Sequence, residues 1–443
     1  MASWRFLVGL AASCGWSASA AMLPPIEQWT TSNGALVVFV AAPEIPMLDV
    51  RVVFAAGSAR DGEHPGVAEL VSALLEEGTR ELPADQFHAA LEATGAQLGA
   101  SSLRDMAWLS LRTLSAPAQR TSALGLLAQV LHAPRFVAVD FERQRQRQLS
   151  GLRQDLESPG TLARQAFLAA LYGEHPYGRP SAGTLASVAA LSLAETEAFY
   201  AQYYVAHNAT IAIVGALSRD EARASAEILS AALAAGVPAP PLPPAPTARK
   251  SAPQHVAFDA TQSHLLVGQI GIARDDPDYF ALLLGNHVLG GNGVVSLLFE
   301  EIRERRGLSY GVESHFEPMT LPGPFVASLQ TRGEQLDEAS ALLRAQITAF
   351  VEHGPTPAAL EDARRNLIGA FPLRIENNSK ILENIAAIGF FKLPLDYLGR
   401  YVARLEAVTL EEVRAALQRH LKPAAMTVVS VGRATAPKPA AAR

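Results

Sequence analysis

Apolar residues recur along this chain with two alternating periods, and the changes of period mark out strands and helices. Residues 35–41 and 48–56 are rich in β-branched side chains and flank a proline-containing loop, which predicts a strand pair. Residues 67–77 carry apolar side chains at helical spacing. Residues 95–101 and 107–113 predict a second hairpin, with Ala107, Leu109 and Leu111 on one face. Beyond residue 254 the pattern resumes, with strands at 264–270, 309–316 and 324–331 and helices at 276–289 and 337–353. Asp276 is placed to cap the first of these helices, and Pro277 suits its opening turn.

One segment occurs twice. Residues 188–215 (VAALSLAETEAFYAQYYVAHNATIAIVG) align without a gap to residues 405–432 (LEAVTLEEVRAALQRHLKPAAMTVVSVG). Each copy opens on a capping box, Ser192 with Glu195 and Thr409 with Glu412, which satisfies the free N–H groups of a helix start. Each then runs through a helix into a β-branched strand ending in Val-Gly, which predicts a duplicated domain. Residues 236–253 hold 7 prolines in 18 positions and predict an extended, stiff linker between the copies. The expected fold class is α+β: two tandem homologous domains of layered sheet and helix, about 26–235 and 254–432, forming a clamshell around a cavity, with a flexible tail at 433–443.

Composition narrows the function. A chain of 443 residues, 49% hydrophobic and 18% charged, is globular and too long for one ordinary core. A formal net charge of -6 with no long basic run argues against a nucleic-acid partner. Residues 1–20 read as an export signal: Arg5 in the charged region, a short apolar run at 6–12, and the small residues Ala18-Ser19-Ala20 as the cleavage site. Export implies the periplasm. The single cysteine, Cys14, lies inside this leader, and a lipid anchor on it is the lesser alternative because Ala11 is a weak residue for that signal. The mature body then has no disulfide and no thiol nucleophile.

Several segments together resemble the pitrilysin (inverzincin) family of zinc peptidases, which includes mitochondrial processing peptidase. Residues 66–79 are similar to the family's zinc-binding helix, 95–108 to the strand pair after it, and His175-Pro176-Tyr177-Gly178 to a turn further on. In the second half, residues 289–293 and 302–310 are similar to another family signature. The resemblance runs from about residue 26 to 432. The glycines at 290–293 lack a following Gly-Lys-Ser/Thr, so they read as a tight turn against the chamber wall rather than a phosphate loop.

The family's helix carries H-x-x-E-H. Two histidines one turn apart hold zinc, and the glutamate activates the metal-bound water. On that frame this chain has Glu69, Ser72 and Ala73, and Gly151 falls where the family has its third ligand. No two of the 11 histidines are three or four residues apart, so no helix presents a histidine pair. The resemblance therefore implies no metal in this chain, with Glu69 at most a lone carboxylate. The family's substrate-holding arginine and tyrosine are matched by Arg303 and Tyr310. Both can donate to a peptide carbonyl as it becomes an oxyanion. Two departures stand out: Leu297 where the family often has arginine, and Gly99 where catalytic members often have asparagine. The polar run at 142–148 reads as a solvated helix face without a binding role.

The expectation is a non-catalytic subunit, inactive alone, that supplies Arg303 and Tyr310 in trans to a homologous H-x-x-E-H partner. That partner would hold the zinc, and the substrate would be a peptide or unfolded protein. The alternative is a non-proteolytic peptide-binding or scaffold protein on the same fold.

Overall fold

Two runs of β-branched residues are buried on both faces and become the inner strands of two sheets. The computed structural model describes residues 25–247 and 252–433. The expected leader at 1–20, with Cys14, and residues 434–443 of the expected tail lie outside the described residues. The first sheet comprises β1 (Glu27–Thr30), β2 (Leu36–Ala41), β3 (Met47–Phe54), β4 (Gln97–Ser102), β5 (Ala107–Leu114) and β6 (Ala209–Gly215), in the order β1-β2-β6-β3-β5-β4. The second comprises β7 (Gln254–Ala257), β8 (Gln262–Ile270), β9 (Val312–Phe316), β10 (Pro324–Arg332) and β11 (Thr427–Gly432), in the order β7-β11-β8-β10-β9.

The repeat seen in the sequence is a repeat of topology. β6 lies parallel to β2 and antiparallel to β3, and β11 lies parallel to β7 and antiparallel to β8. The helices leading into these strands, Leu193–Tyr203 and Leu410–His420, both start on complete capping boxes. Ser192 N–H donates to Glu195 at 2.6 Å and Thr409 N–H to Glu412 at 2.7 Å.

Each sheet has two apolar faces, and its own half covers only one. The helix Pro159–Tyr172 belongs to the first half by sequence but packs on the second sheet. Its Ala163, Phe167, Leu168 and Tyr172 share a core with Leu266, Val326, Val429 and Val431. Reciprocally, Asn378–Phe390 packs on the first sheet, with Ile381, Leu382, Ile385 and Ala386 against Val38, Val40, Val53, Ala212 and Val214. Full burial of such a side chain is worth roughly 2 kcal/mol, so each half stabilises the other. The expected division at 236–253 separates the strands but not the helices.

The described part of the expected stiff linker, residues 236–247, is tied down along its length. Ala239 N–H donates to Asn208 Oδ1 at 3.2 Å, Arg60 donates to the Pro240 carbonyl, and His175 Nε2 lies 2.9 Å from the Pro243 carbonyl. It is a strap bound along the first half, since prolines leave their carbonyls free to accept. A polar joint adds to the connection. Tyr177 donates its hydroxyl hydrogen to Asp105 at 2.5 Å, and the other Asp105 oxygen accepts from Thr320 N–H at 2.7 Å.

Two boundaries also differ from expectation. The helix expected at 276–289 runs Tyr279–Asn286 and continues as a π-helical turn, His287–Gly291. Asp276 accepts from Asp278 N–H at 2.8 Å, forming a local turn instead of a cap. The strand expected from 309 begins at Val312, because Ser309 closes a turn onto the Gly311 carbonyl at 2.6 Å.

Candidate functional site

The helix Val67–Leu74 is set by what precedes it. Gly66 has φ 97°, and a Cβ there would meet the Ala182 carbonyl oxygen at 2.8 Å, so only glycine fits without strain. Asp61 accepts from Gly66 N–H at 2.7 Å and Ala68 N–H at 3.1 Å, satisfying two free donors of the helix start. Burial raises the Asp61 carboxyl to about 7, although both N–H groups and Arg179 oppose it.

Glu69, Ser72 and Ala73 share one face of this helix. Glu69 is half-buried, and burial raises its carboxyl above the ordinary range. Gly151 lies exposed on the adjacent helix Ala138–Leu156, and a Cβ there would meet nothing within 4 Å. Of the four positions only Glu69 can ligate a metal, so these residues do not fit zinc. Among the described residues, the one group of three or more potential ligands within reach of one another is Asp276, Asp278 and His420, in the second half. Asp278 there is already paired with Arg419 and His420.

Just past the helix, Glu76 accepts from Ala100 N–H at 2.8 Å. Ala100 lies on β4, the outer strand of its sheet, and this N–H points away from β5. The side chain that an asparagine would place at position 99 is missing, and a Cβ on Gly99 would lie 3.7 Å from Glu76 Oε1. Glu76 went unread in the sequence. It lies past the helix end, and its partner is 24 residues further on, so no local spacing pointed to it.

The polar run at 142–148 is not a solvated face throughout. Gln144 is buried and donates to Glu77, which also pairs with Arg143. Gln148 donates to the carbonyls of Gly66 at 3.0 Å and Ala182 at 2.9 Å. These side chains fasten the Ala138–Leu156 helix to the segments at both ends of Val67–Leu74.

In the second half, Arg303 sits on a π-helical turn, Glu300–Glu304, and Gly307 (φ 62°) reverses the chain. The reversal brings Tyr310 back to Arg303. Arg303 Nη1 donates to the Tyr310 carbonyl at 2.5 Å, and its guanidinium carbon lies 4.4 Å from the centre of the Tyr310 ring. The Tyr310 side of this pair is open, with the residue 80% exposed. In place of the tight turn expected there, Gly290 and Gly291 end the π-helical turn His287–Gly291. A Cβ on Gly290 would come within 2.5 Å of Ser314 Oγ on β9.

With this geometry in hand, comparison with known proteins is decisive. The family model for insulinase (peptidase family M16) matches residues 36–185, and that for the peptidase M16 inactive domain matches residues 190–367. A solved peptidase M16 inactive domain from Pseudomonas fluorescens is 40% identical, covers 94% of this chain and 99% of its own, and superposes with a TM-score of 0.90. The chain belongs to the peptidase M16 family. M16 relatives include an uncharacterized zinc protease of Mycobacterium leprae, 27% identical over 87% of each chain. They also include the non-peptidase homolog YmxG of Helicobacter pylori, 26% identical over 85% of this chain and 87% of that protein. The inactive-domain model covers most of the second half, and in the first half Glu69, Ser72 and Ala73 stand where the resemblance places H-x-x-E-H.

Proposed function

We propose that this chain is the non-catalytic subunit of a heteromeric zinc metallopeptidase, acting on peptides or unfolded proteins. A homologous partner with intact H-x-x-E-H supplies the metal and the general base. This chain supplies Arg303 and Tyr310 in trans, where the tyrosine hydroxyl donates to the carbonyl oxygen as negative charge develops.

The observation that carries this reading is the exposure of Tyr310 beside an ordered Arg303. A structural aromatic would be buried. Here the arginine is fixed by the tyrosine's own carbonyl and the tyrosine faces outward, as a pair meant to meet a second molecule would. Export to the periplasm, with residues 1–20 removed, is part of the same proposal.

The test is reconstitution. Alone, the purified chain cleaves no unstructured peptide and holds far less than one zinc after dialysis. Mixed with an H-x-x-E-H homologue that is weak or silent by itself, it raises cleavage. Stoichiometric, dialysis-resistant zinc or robust cleavage by the chain alone would contradict the proposal.

The second reading is a peptide-binding or scaffold protein without proteolysis, and the Glu76–Ala100 hydrogen bond favours its scaffold form, because it occupies an edge donor that an extended ligand would use. In that case reconstitution yields a complex but no added cleavage.

A further inference from the structure

At the junction of the two halves lies a cavity of about 470 Å³ with three guanidinium groups in its wall. Arg104 comes from the tip joining β4 and β5, Arg164 from the exchanged helix Pro159–Tyr172, and Arg179 from the segment after Tyr177. Thr161 and Ser181 add hydroxyls, and Asp155 is the single carboxylate in the wall. The second half is close by: a Cβ on Gly160 would lie 3.2 Å from His264 Cε1.

Neither Arg104 nor Arg179 makes a direct ion pair among the described residues, although Asp105 acts on Arg104, and Arg179 on Asp61, through space. Arg104 Nη1 donates to the carbonyls of Arg179 at 2.9 Å and Pro176 at 3.3 Å. Arg179 Nη1 donates to the Gly62 carbonyl at 2.5 Å. In each case the second terminal nitrogen takes no part in these bonds. The nearby carboxylate of Asp105 is committed on both oxygens, to Tyr177 and Thr320. Arg164 alone is neutralised, by Glu317. Burial, and then the charge of Arg164, hold Arg104 below its ordinary value. Two part-buried, unpaired cations in one cavity are costly unless an anion joins them. In a chain of net charge -6 such a site is a local exception.

We propose that this cavity binds a carboxylate of the peptide substrate, between Arg104 and Arg179. A single carboxylate suits these two arginines better than a doubly charged phosphate, because Asp155, Asp105, Asp61 and Glu317 already offset positive charge around the cavity. Planar guanidinium groups also match the two oxygens of a carboxylate. The carboxylate is either the peptide's C-terminus or an aspartate or glutamate side chain. This inference rests on reading the chain as a peptide-binding subunit.

The test is calorimetry on the full chain at low salt, with three forms of one unstructured, N-acetylated alanine–serine–leucine decapeptide. One has a free C-terminal acid and no acidic residue. The second has a C-terminal amide and no acidic residue. The third has the amide and one internal glutamate. The expected result is that the first or the third binds about tenfold more tightly than the second, the usual scale for hydrogen bonds to a charged group. Whichever form gains identifies the source of the carboxylate. Arg104→Gln or Arg179→Gln should erase the gain. Arg104 also ties two backbone carbonyls, so if its variant fails to fold, Arg179→Gln decides. Equal binding of all three forms overturns the pocket while leaving peptide binding intact. Binding of none overturns both.

Discussion

Glu76 accepts the Ala100 N–H at 2.8 Å, so the chain's own carboxylate sits on the free edge of the first sheet. An edge strand with unpaired N–H groups is a template for an extended segment. Here one of its donors is already taken, at a point beside the degenerate zinc positions.

The first prediction concerns that bond. Glu76→Ala should speed amide hydrogen exchange at Ala100 about fivefold or more, since one hydrogen bond is worth about 1 kcal/mol. Glu76→Gln keeps an acceptor and should stay near the parent rate. Equal exchange in all three proteins would mean that the carboxylate does not guard the edge.

The exchanged helices predict shared stability. Phe167 sits in the core beneath the second sheet, and Phe167→Ala should cost about 3–5 kcal/mol by leaving a cavity. Because the Asn378–Phe390 helix returns the contact to the first sheet, both halves should unfold in one transition, read by calorimetry. Two separated transitions, one of them unmoved, would show that the halves are independent.

Acid should loosen the junction through Glu317. Burial works to raise its carboxyl, but His315 and Arg164 outweigh burial and hold it at about 2. Stability from this group is therefore full above its ordinary value near 4.5 and is lost as pH falls towards 2. Glu317→Gln should flatten the fall in melting temperature over that window.

Asp61 predicts the opposite slope in a different window. Its carboxyl is raised to about 7 in the fold from an ordinary 3.8, so the folded state binds more protons between these values. Its contribution is present below about 4 and is lost as pH rises through 7. Melting temperature should fall between about pH 4 and 7, and Asp61→Asn should remove most of that slope.

Much of this architecture was legible because it is local. The capping boxes at Ser192 and Thr409, and the strands β6 and β11 behind them, declare themselves within 28 residues each. The exchange of helices was not legible. An apolar stripe including Phe167 says that the helix is buried, but not which sheet it meets. Gln144 and Gln148 looked solvated because their partners, Glu77 and the carbonyls of Gly66 and Ala182, lie tens of residues away. The pairing of Arg303 with Tyr310 could be expected from resemblance alone. What sequence did not foretell is that the arginine bonds the tyrosine's carbonyl and leaves its hydroxyl free. The arginine cavity was likewise hidden, because residues 104, 164 and 179 stand on separate elements of the first half, up to 75 residues apart.

The central claim is that this subunit contributes to the transition state of a site whose metal belongs to its partner. The direct measurement is peptide cleavage by the reconstituted pair, with and without Tyr310→Phe, alongside an assay of complex formation. The change removes one hydroxyl from an exposed ring, so folding and assembly should be unaffected. The account predicts a loss of about a hundredfold in turnover, the usual scale for losing one oxyanion donor. Unchanged cleavage by an intact complex would contradict it.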